Sequence, residues 1–260
     1  MSQTFKVELS YKSSAKLWGN DSLISYNQTG ATIHLASQED TLNERLKVQK
    51  AARKLAQAGI PNFELVDNWD LESQWHFWQG IYSPLKMPTL EFAELPEKAM
   101  KELNSRVLAI GWTRKLINDT PEDLSPVQLA TQAGEFLTQL SPDQVSYNIV
   151  SGDALKEAGL VGIFNVGRGS EREPALLELD FCPEGSEKDS PAVALVGKGI
   201  TFDTGGISLK PGLAMDEMKF DMGGAASVFG TMAAITAMEI SLNVVAIVAA
   251  AENMPSGTAT

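Results

Sequence analysis

The chain has few of the residues on which extracellular and nucleic-acid-binding proteins depend. Its single cysteine, Cys182, rules out an intramolecular disulfide and suits a reducing compartment. Its 21 lysines and arginines are outnumbered by 33 aspartates and glutamates, which gives a formal net charge of −12. Binding to nucleic acid depends on contacts between basic side chains and phosphates. We therefore expect no nucleic-acid partner.

Long apolar runs are also missing. The first residues, Met1–Ser14, contain no apolar segment of the kind that directs export. The most apolar stretch, Leu242–Ala251, is too short to cross a bilayer. At the same time 43% of the residues are hydrophobic, which is enough for a substantial core. These features predict a globular, cytoplasmic protein with no membrane partner.

Histidine is scarce as well, since only His34 and His76 occur. The two are far apart in sequence, so a histidine-based metal site is not expected. His76 lies within an aromatic-rich stretch, Trp69–Trp78. We interpret this stretch as a helix that packs its aromatic face into the core or against another subunit. A platform on which a ligand stacks is the alternative interpretation.

The first part of the chain alternates between strand and helix patterns, which predicts a small α/β domain over residues 1–95. Its helix, Glu44–Ala58, has apolar residues at helical spacing and ends at a glycine. A long helical pattern follows from about Pro96 to Asn118, and residues 96–119 are predicted to form a linker helix. The predicted strands of this domain are Phe5–Leu9, Ala31–Leu35 and Phe63–Val66.

Residues 120–260 alternate in the same way and predict a second α/β domain. The apolar run Ala192–Val196 is interpreted as a short buried strand. Leu242–Ala251 has few polar residues and is interpreted as an inner strand of the sheet. The other predicted elements are the helices Val127–Leu140, Ala154–Ala158 and Met222–Met238 and the strands Val145–Val150 and Leu176–Phe181.

Four charged residues, Lys198, Asp203, Lys210 and Asp221, lie in a glycine-rich segment after this run. Asp203 is expected in a loop and Asp221 at the start of a helix. Carboxylate oxygens suit Mg²⁺, Mn²⁺ or, with other donors, Zn²⁺. A glycine pair follows each aspartate closely and would let the backbone approach a ligand. From the residue types alone, salt bridges and a ligand site remain equally open.

Two glycine motifs that suggest nucleotide binding fail on their spacing. The Gly-Lys pair at Lys198 would form a phosphate-binding loop only with a glycine in place of Ala192 and a serine or threonine in place of Gly199. The two glycines on either side of Arg168 lack the third glycine of a dinucleotide motif, because Arg172 occupies its position. Both nucleotide interpretations are therefore rejected.

The segment that holds the four charged residues resembles the leucyl aminopeptidase family of two-metal exopeptidases. The similarity is carried by Val196–Gly206, Ser208–Pro211 and Met215–Ala226, and the spacing of all four charged residues fits the family. Upstream, Phe77–Gly80 and Val166–Arg172 resemble the peptidase B branch of that family. The resemblance extends over essentially the whole chain. It implies an α/β fold in which a helix joins a small N-terminal α/β domain to a catalytic α/β domain with a mixed central sheet.

The resemblance also implies a role for five residues. Lys198 and Asp221 would ligate one of two divalent metal ions, most simply Mn²⁺ or Zn²⁺, and Asp203 would bridge both ions. Lys210 would polarise the scissile carbonyl, and Met218 would line the pocket for the N-terminal side chain of the substrate. The implied reaction is the release of N-terminal amino acids from peptides by a metal-activated water. The implied assembly of the full-length form is a homohexamer.

One part of the family pattern does not occur in these 260 residues. The resemblance implies a second signature, Asn-Thr-Asp-Ala-Glu-Gly-Arg, that supplies the remaining metal ligands and an arginine that anchors bicarbonate. We therefore expect the chain to carry only the first half of the site, with Leu242–Ala251 left as an unpaired apolar edge of the sheet. The alternative hypothesis is a catalytically inactive remnant or an assembly partner of a full-length aminopeptidase.

Overall fold

The structure is a computed structural model that describes residues 4–19, 22–36, 41–186 and 190–257. It is an α/β protein with two compact units, Met1–Val107 and Leu108–Thr260. The division between the units falls inside a single long helix, Glu97–Asn118. Over the described ranges, every helix is too short or too polar to cross a membrane.

The first unit is built on a mixed five-stranded sheet. Its strands are β1 (Phe5–Ser10), β2 (Ile24–Tyr26), β3 (Gly30–His34), β4 (Asn62–Val66) and β5 (Thr89–Glu91). Their order across the sheet is β2-β3-β1-β4-β5. β1 pairs in parallel with β3 and β4, β4 pairs in parallel with β5, and β2 is antiparallel to β3.

The helices of this unit are α1 (Leu42–Gln57), α2 (Leu71–Ile81) and the first half of α3 (Glu97–Asn118). α1 begins after Thr41, whose side chain accepts a hydrogen bond from the backbone N–H of Glu44. The predicted helix of the first domain and its three predicted strands are confirmed, with small shifts at their ends.

The aromatic-rich stretch forms the turn before α2 and most of that helix, and its Trp69 and Phe77 rings pack into the core of the first unit. Phe77 is fully buried and meets Phe63 and Trp69 edge to face, with ring centroids 5.6 Å apart in each pair. Trp69 is buried too, and its indole N–H donates to a backbone carbonyl. His76 is buried, and its Nδ1 lies 2.9 Å from the carbonyl oxygen of Glu72. The core-packing interpretation is confirmed for these side chains.

In the second unit, the rest of α3 is followed by α4 (Pro126–Leu140), α5 (Ala154–Glu157), α6 (Val161–Gly167), α7 (Gly212–Met215) and α8 (Gly223–Ala237). α4 begins with a capping box, because Ser125 and Gln128 each accept, through their side chains, the backbone N–H of the other. α4 and α8 contribute Leu137 and Phe229 to one buried cluster with the strands of this unit.

The sheet of the second unit has four strands and is mixed. They are β6 (Val145–Ser151), β7 (Ala175–Phe181), β8 (Val193–Asp203) and β9 (Val244–Asn253). Their order is β6-β7-β9-β8, with β6–β7 and β7–β9 antiparallel and β8–β9 parallel. A parallel pair needs a crossover connection, and α8 supplies it between β8 and β9.

β8 differs from the predicted strand in length and in burial. The sequence predicts a short buried strand over Ala192–Val196, whereas β8 extends to Asp203 and its first residues are exposed. Val196 is 76% exposed, and buried positions begin only at Gly197. The prediction was wrong because an apolar run was taken as a sign of burial on both faces. Within the described ranges, β8 has β9 as its one neighbouring strand.

The prediction of Leu242–Ala251 as an unpaired edge is also wrong. β9 lies between β7 and β8 and pairs with both of them along its length. Ala246, Val248 and Ala250 are buried, as the apolar composition of an inner strand requires. The inner-strand interpretation is therefore confirmed. In the described part of this sheet, the outermost strand beside β9 is β8.

Candidate functional site

A β-bulge in β8 places two of the candidate residues on one face of the sheet. Lys198 and Asp203 are five residues apart, but their partners on β9, Ala249 and Asn253, are four apart, because the register shifts at Thr201. Side chains alternate between faces along a strand, so an odd spacing would separate the two residues. The extra residue of the bulge restores a common face. Asp203 is thus the last residue of β8, and its expected place in a loop was wrong.

The start of α8 approaches β8 through glycines and brings Asp221 to Lys198. A Cβ atom on Gly197 would lie 2.9 Å from the Cα of Ala225, and one on Gly224 would lie 3.2 Å from the N of Lys198. Helix and strand therefore come closer than larger residues would allow. Asp221, just before α8, has its Oδ2 3.3 Å from Lys198 Nζ. The side chain of Lys198 is 59% exposed, so as an ion pair this contact contributes little to stability.

A tight turn after β8 folds Lys210 back onto Asp203. The backbone N–H of Lys210 donates to the carbonyl of Thr204, and the Lys210 Nζ lies 2.6 Å from Asp203 Oδ2. Gly205 and Gly206 have φ of 89° and 71°, a left-handed backbone conformation that residues with a side chain rarely adopt. The first glycine pair therefore permits the turn that joins the two charged residues.

The carboxylate of Asp203 is hydrogen-bonded on both oxygens. Its Oδ1 accepts from the backbone N–H of Gly205 at 2.9 Å and from Asn253 Nδ2 at 2.7 Å, while its Oδ2 faces Lys210. Burial by itself raises the pKa of this carboxyl. The three hydrogen bonds and the charge of Lys210 outweigh burial, so the pKa of Asp203 lies below its ordinary value of 3.8. Asp203 is therefore ionised at neutral pH.

Met218 lies beside the same lysine. It belongs to a 3₁₀ turn, Asp216–Phe220, and its Sδ is 2.9 Å from Lys210 Nζ. A thioether sulfur is a weak acceptor, so this contact adds little to the neutralisation of the ammonium charge by Asp203. The structure thus brings together Lys198 with Asp221 and, separately, Lys210 with Asp203 and Met218.

The donor set fits a divalent metal in part. Asp203, Asp221 and the amine of Lys198 are donors that Mn²⁺ or Zn²⁺ accept. A complete site needs at least four donors. Across the described ranges, no three His, Cys, Asp or Glu side chains are grouped so that they could hold a metal ion. The two ring nitrogens of His34, Nδ1 and Nε2, lie 2.7 and 2.8 Å from oxygen atoms of the protein.

Two residues at the end of β9 were not predicted from the sequence. Asn253 donates to Asp203, and the buried Glu252 next to it pairs with Ser170 and Arg172. A signal was present, because Val244–Ala251 contains only valine, isoleucine and alanine before these two polar residues end the strand. Polar residues at the end of an inner strand often reach a site at the sheet edge.

Two family profiles match the chain. Residues 111–260 match the catalytic domain of the cytosol aminopeptidase family. Residues 6–96 match a second family that is described only as a peptidase.

Curated proteins with the name peptidase B are similar over nearly the whole chain. The protein from Serratia proteamaculans is 44% identical over 254 residues, which are 97% of this chain and 58% of the relative. The protein from Pectobacterium atrosepticum is 44% identical over 261 residues, with 98% of this chain and 59% of the relative covered. The chain therefore spans less than two thirds of the length of these relatives.

Solved structures share the fold. The bottromycin maturation enzyme BotP in complex with Mn has a TM-score of 0.77 at 24% identity, over 99% of this chain and 61% of that chain. The cytosol aminopeptidase from Coxiella burnetii has a TM-score of 0.76 at 22% identity, over 98% of this chain and 60% of that chain. Likeness at these identities concerns the fold alone, and it agrees with the predicted α/β architecture with mixed sheets.

Proposed function

The chain belongs to the cytosol aminopeptidase family, and from this membership we propose that it carries the first half of a two-metal centre that releases N-terminal amino acids from peptides. The observation that supports the proposal is the common face of Lys198 and Asp203 on β8, with Asp221 held beside Lys198. An amine and two carboxylates are thereby offered at β8, an outer strand of the described sheet, with Asp221 contributed from the turn before α8.

The ligands would act in the following way. Lys198 would bind through its amine, which must first lose a proton to offer a lone pair, and Asp221 would bind beside it through Oδ2. Asp203 would serve both metals, because its carboxylate has two oxygens and is held in a fixed orientation at the end of β8. When bound, divalent cations of this kind activate a water molecule as the nucleophile and polarise a peptide carbonyl.

Lys210 would stabilise the negative charge that develops on the scissile carbonyl oxygen. Its ammonium group has three N–H donors, and two of them can be assigned to Asp203 and Met218. The third can point towards a substrate. Met218, next to the ammonium group, would contact the side chain of the N-terminal residue of the peptide. The pocket for that side chain would therefore be partly apolar.

The same proposal covers the identity of the metal ions, the oligomeric assembly and the location in the cell. Mn²⁺ and Zn²⁺ both accept nitrogen and oxygen donors, and one structure with this fold is a manganese complex. Peptides are the proposed substrates, and a homohexamer is the proposed assembly of the full-length form. The net charge of −12 supports the absence of a nucleic-acid partner, and the description of the family supports a place in the cytosol.

A second proposal concerns these 260 residues by themselves. They offer three ligands for two metals, and no acidic or histidine cluster in the described ranges adds to them. This supports the alternative function, in which the 260 residues by themselves are a catalytically inactive remnant or an assembly partner of a full-length aminopeptidase.

The test is the hydrolysis of leucine p-nitroanilide with Mn²⁺ by the protein as its gene encodes it. Asp203→Asn should lower kcat/KM by at least about 100-fold, because it removes a bridging ligand. Lys210→Met should lower kcat more than it changes KM, because the lysine acts on the transition state. Lys219→Met, in the same 3₁₀ turn as Met218, is the matched control and should leave both constants unchanged.

Full activity of the Asp203→Asn variant would contradict the bridging role. The same assay on the 260 residues alone should give little or no turnover. Robust turnover by them would show that no further ligands are needed.

A further inference from the structure

The last two residues of β9, Glu252 and Asn253, make side-chain contacts on opposite faces of the strand. Side chains alternate along a strand, and Asn253 reaches Asp203 while Glu252 reaches Ser170 and Arg172. The strand is apolar up to this point, so these two residues make the polar side-chain contacts of its carboxyl end. One of the contacts leads directly to a proposed metal ligand.

Asn253 ties the end of β9 to the turn that follows β8. Its Nδ2 donates to Asp203 Oδ1 at 2.7 Å. Its backbone carbonyl accepts from both the N–H and the hydroxyl of Thr204, at 3.0 and 2.8 Å. The hydrogen bonds from Asn253 Nδ2 and from the N–H of Gly205 together fix the plane of the Asp203 carboxylate. A shift of Asn253 would therefore change the orientation of that carboxylate.

Glu252 is buried, with 2% of its surface exposed. A buried carboxylate requires partners, and Glu252 has two. Ser170 donates to its Oε2, and Arg172 Nη1 donates to its Oε1 at 2.7 Å. Burial lowers the pKa of Arg172, but Glu252 and the exposed Glu122 together raise it above its ordinary value. Arg172 therefore remains charged and keeps Glu252 in place.

The loop that supplies these partners is pressed against the exit of β9. Gly169 lies so close to the carbonyl of Met254 that a Cβ atom would overlap it, and a Cβ on Gly257 would lie 3.0 Å from Glu171. The loop belongs to the segment Val166–Arg172, which resembles the peptidase B branch and has no role in the proposed chemistry. These contacts support the end of β9, and it is from this end that Asn253 reaches Asp203.

We propose that Asn253 is a positioning residue for the Asp203 carboxylate and that Arg172, acting through Glu252, holds Asn253 in place. The inference rests on the proposed function, since it concerns the carboxylate proposed to bridge the metals. Residues that orient a metal ligand through hydrogen bonds typically account for about 10–100-fold in metal affinity or activity. We expect an effect of that size from Asn253 and a smaller one from Arg172.

The experiment measures the dissociation constant of Mn²⁺ by the loss of its free-ion electron paramagnetic resonance signal, in the protein as its gene encodes it. Asn253→Ala should weaken binding about 10–100-fold, and Arg172→Met several-fold or more. Glu122→Gln, which removes only the exposed partner of Arg172, is the control and should bind as the wild type does. Circular dichroism reports whether each variant is folded.

The proposed chain of contacts is tested by the double variant. If Arg172 acts through Asn253, Arg172→Met combined with Asn253→Ala should bind Mn²⁺ no more weakly than Asn253→Ala alone, whereas independent effects would add. Glu252→Gln replaces Arg172→Met if the latter does not fold, because it keeps the volume and one acceptor oxygen.

Additive effects in the double variant overturn the proposed link between Arg172 and Asn253, and two results with the single variants also overturn the inference. A folded Asn253→Ala variant with wild-type Mn²⁺ affinity would show that Asn253 does not position the Asp203 carboxylate. If Asn253→Ala binds Mn²⁺ more weakly but Arg172→Met and Glu252→Gln both bind it as the wild type does, then Arg172 does not hold Asn253 in place through Glu252. A wild-type protein that neither binds Mn²⁺ nor cleaves leucine p-nitroanilide instead overturns the proposed function, and the inference with it.

Discussion

At the scale of single residues, Asp203 combines an ion pair with two neutral hydrogen bonds on one carboxylate. Lys210 faces one oxygen, and Gly205 and Asn253 donate to the other. The same contacts that would prepare the carboxylate for a metal also make it a source of stability in the metal-free protein. That stability depends on pH, because it is present only while the carboxylate is ionised.

The sign of this dependence follows from the lowered pKa of Asp203. A carboxyl whose pKa is lower in the folded state stabilises the fold above its unfolded value, here 3.8, and loses that contribution as the pH falls through the folded value. We expect the difference in unfolding free energy between the wild type and Asp203→Asn to shrink between about pH 5 and pH 2. Urea unfolding in the presence of a chelator measures it, and a difference that is constant over this range would contradict the prediction.

Residue types alone left two interpretations of the charged cluster open, and the structure shows why. Lys198 with Asp221 and Lys210 with Asp203 form ion pairs, and the same atoms are the proposed ligands and electrophile. The sequence marks Asn253 as a polar residue at the end of an inner strand but does not mark it as a partner of Asp203, because the two are 50 residues apart. Only the pairing of β8 with β9 brings the two residues together.

At the scale of elements, α8 approaches β8 closely because the contact is made by glycines, Gly197 and Gly224, which have no side chain. In Gly197→Ala the new Cβ would lie 2.9 Å from the backbone of Ala225 and 3.1 Å from Val248. Helix and strand would have to separate, so we expect a loss of about 1–3 kcal/mol in unfolding free energy. Denaturant unfolding measures it.

The matched control is Gly212→Ala at the start of α7, where a Cβ would meet no atom within 4 Å. It should change the unfolding free energy by less than about 0.5 kcal/mol. Equal effects of the two substitutions would show that the close approach at Gly197 does not limit packing.

Helix and strand positions were largely predictable, because each has a local cause. α4 has a capping box at Ser125, and the apolar spacing of α1 marks its buried face. The end of β8 was not predictable in the same way. Gly197 and Gly199, which disfavour a strand, interrupt the apolar run, and the strand continues through them to Asp203 because β9 pairs with it. Pairing between distant segments, rather than local propensity, sets this boundary.

At the scale of the whole molecule, β8 exposes apolar side chains at an outer edge of the described sheet. Val193 and Val196 are 37% and 76% exposed on a strand that has one strand neighbour in the described ranges. Exposed apolar edges promote association between chains. We expect the 260 residues made alone to self-associate, and Val196→Lys to reduce this association.

Sedimentation velocity or light scattering checks this prediction. Val196→Lys should change the unfolding free energy by less than about 0.5 kcal/mol, because the side chain is already exposed. Val161→Lys, at a 47% exposed position on α6, is the control and should not alter association. A monomeric wild-type chain would contradict the prediction.

The bulge at Thr201 has a consequence for how this segment can change over generations. With it, Lys198 and Asp203 share a face across an odd spacing. Loss of one residue between them would leave an even spacing of four, which a regular strand also keeps on one face, so the deletion would remove the bulge and preserve the common face. Natural variants of this strand should therefore tolerate a one-residue deletion between these two positions, because it straightens β8 and leaves Lys198 and Asp203 on the same side.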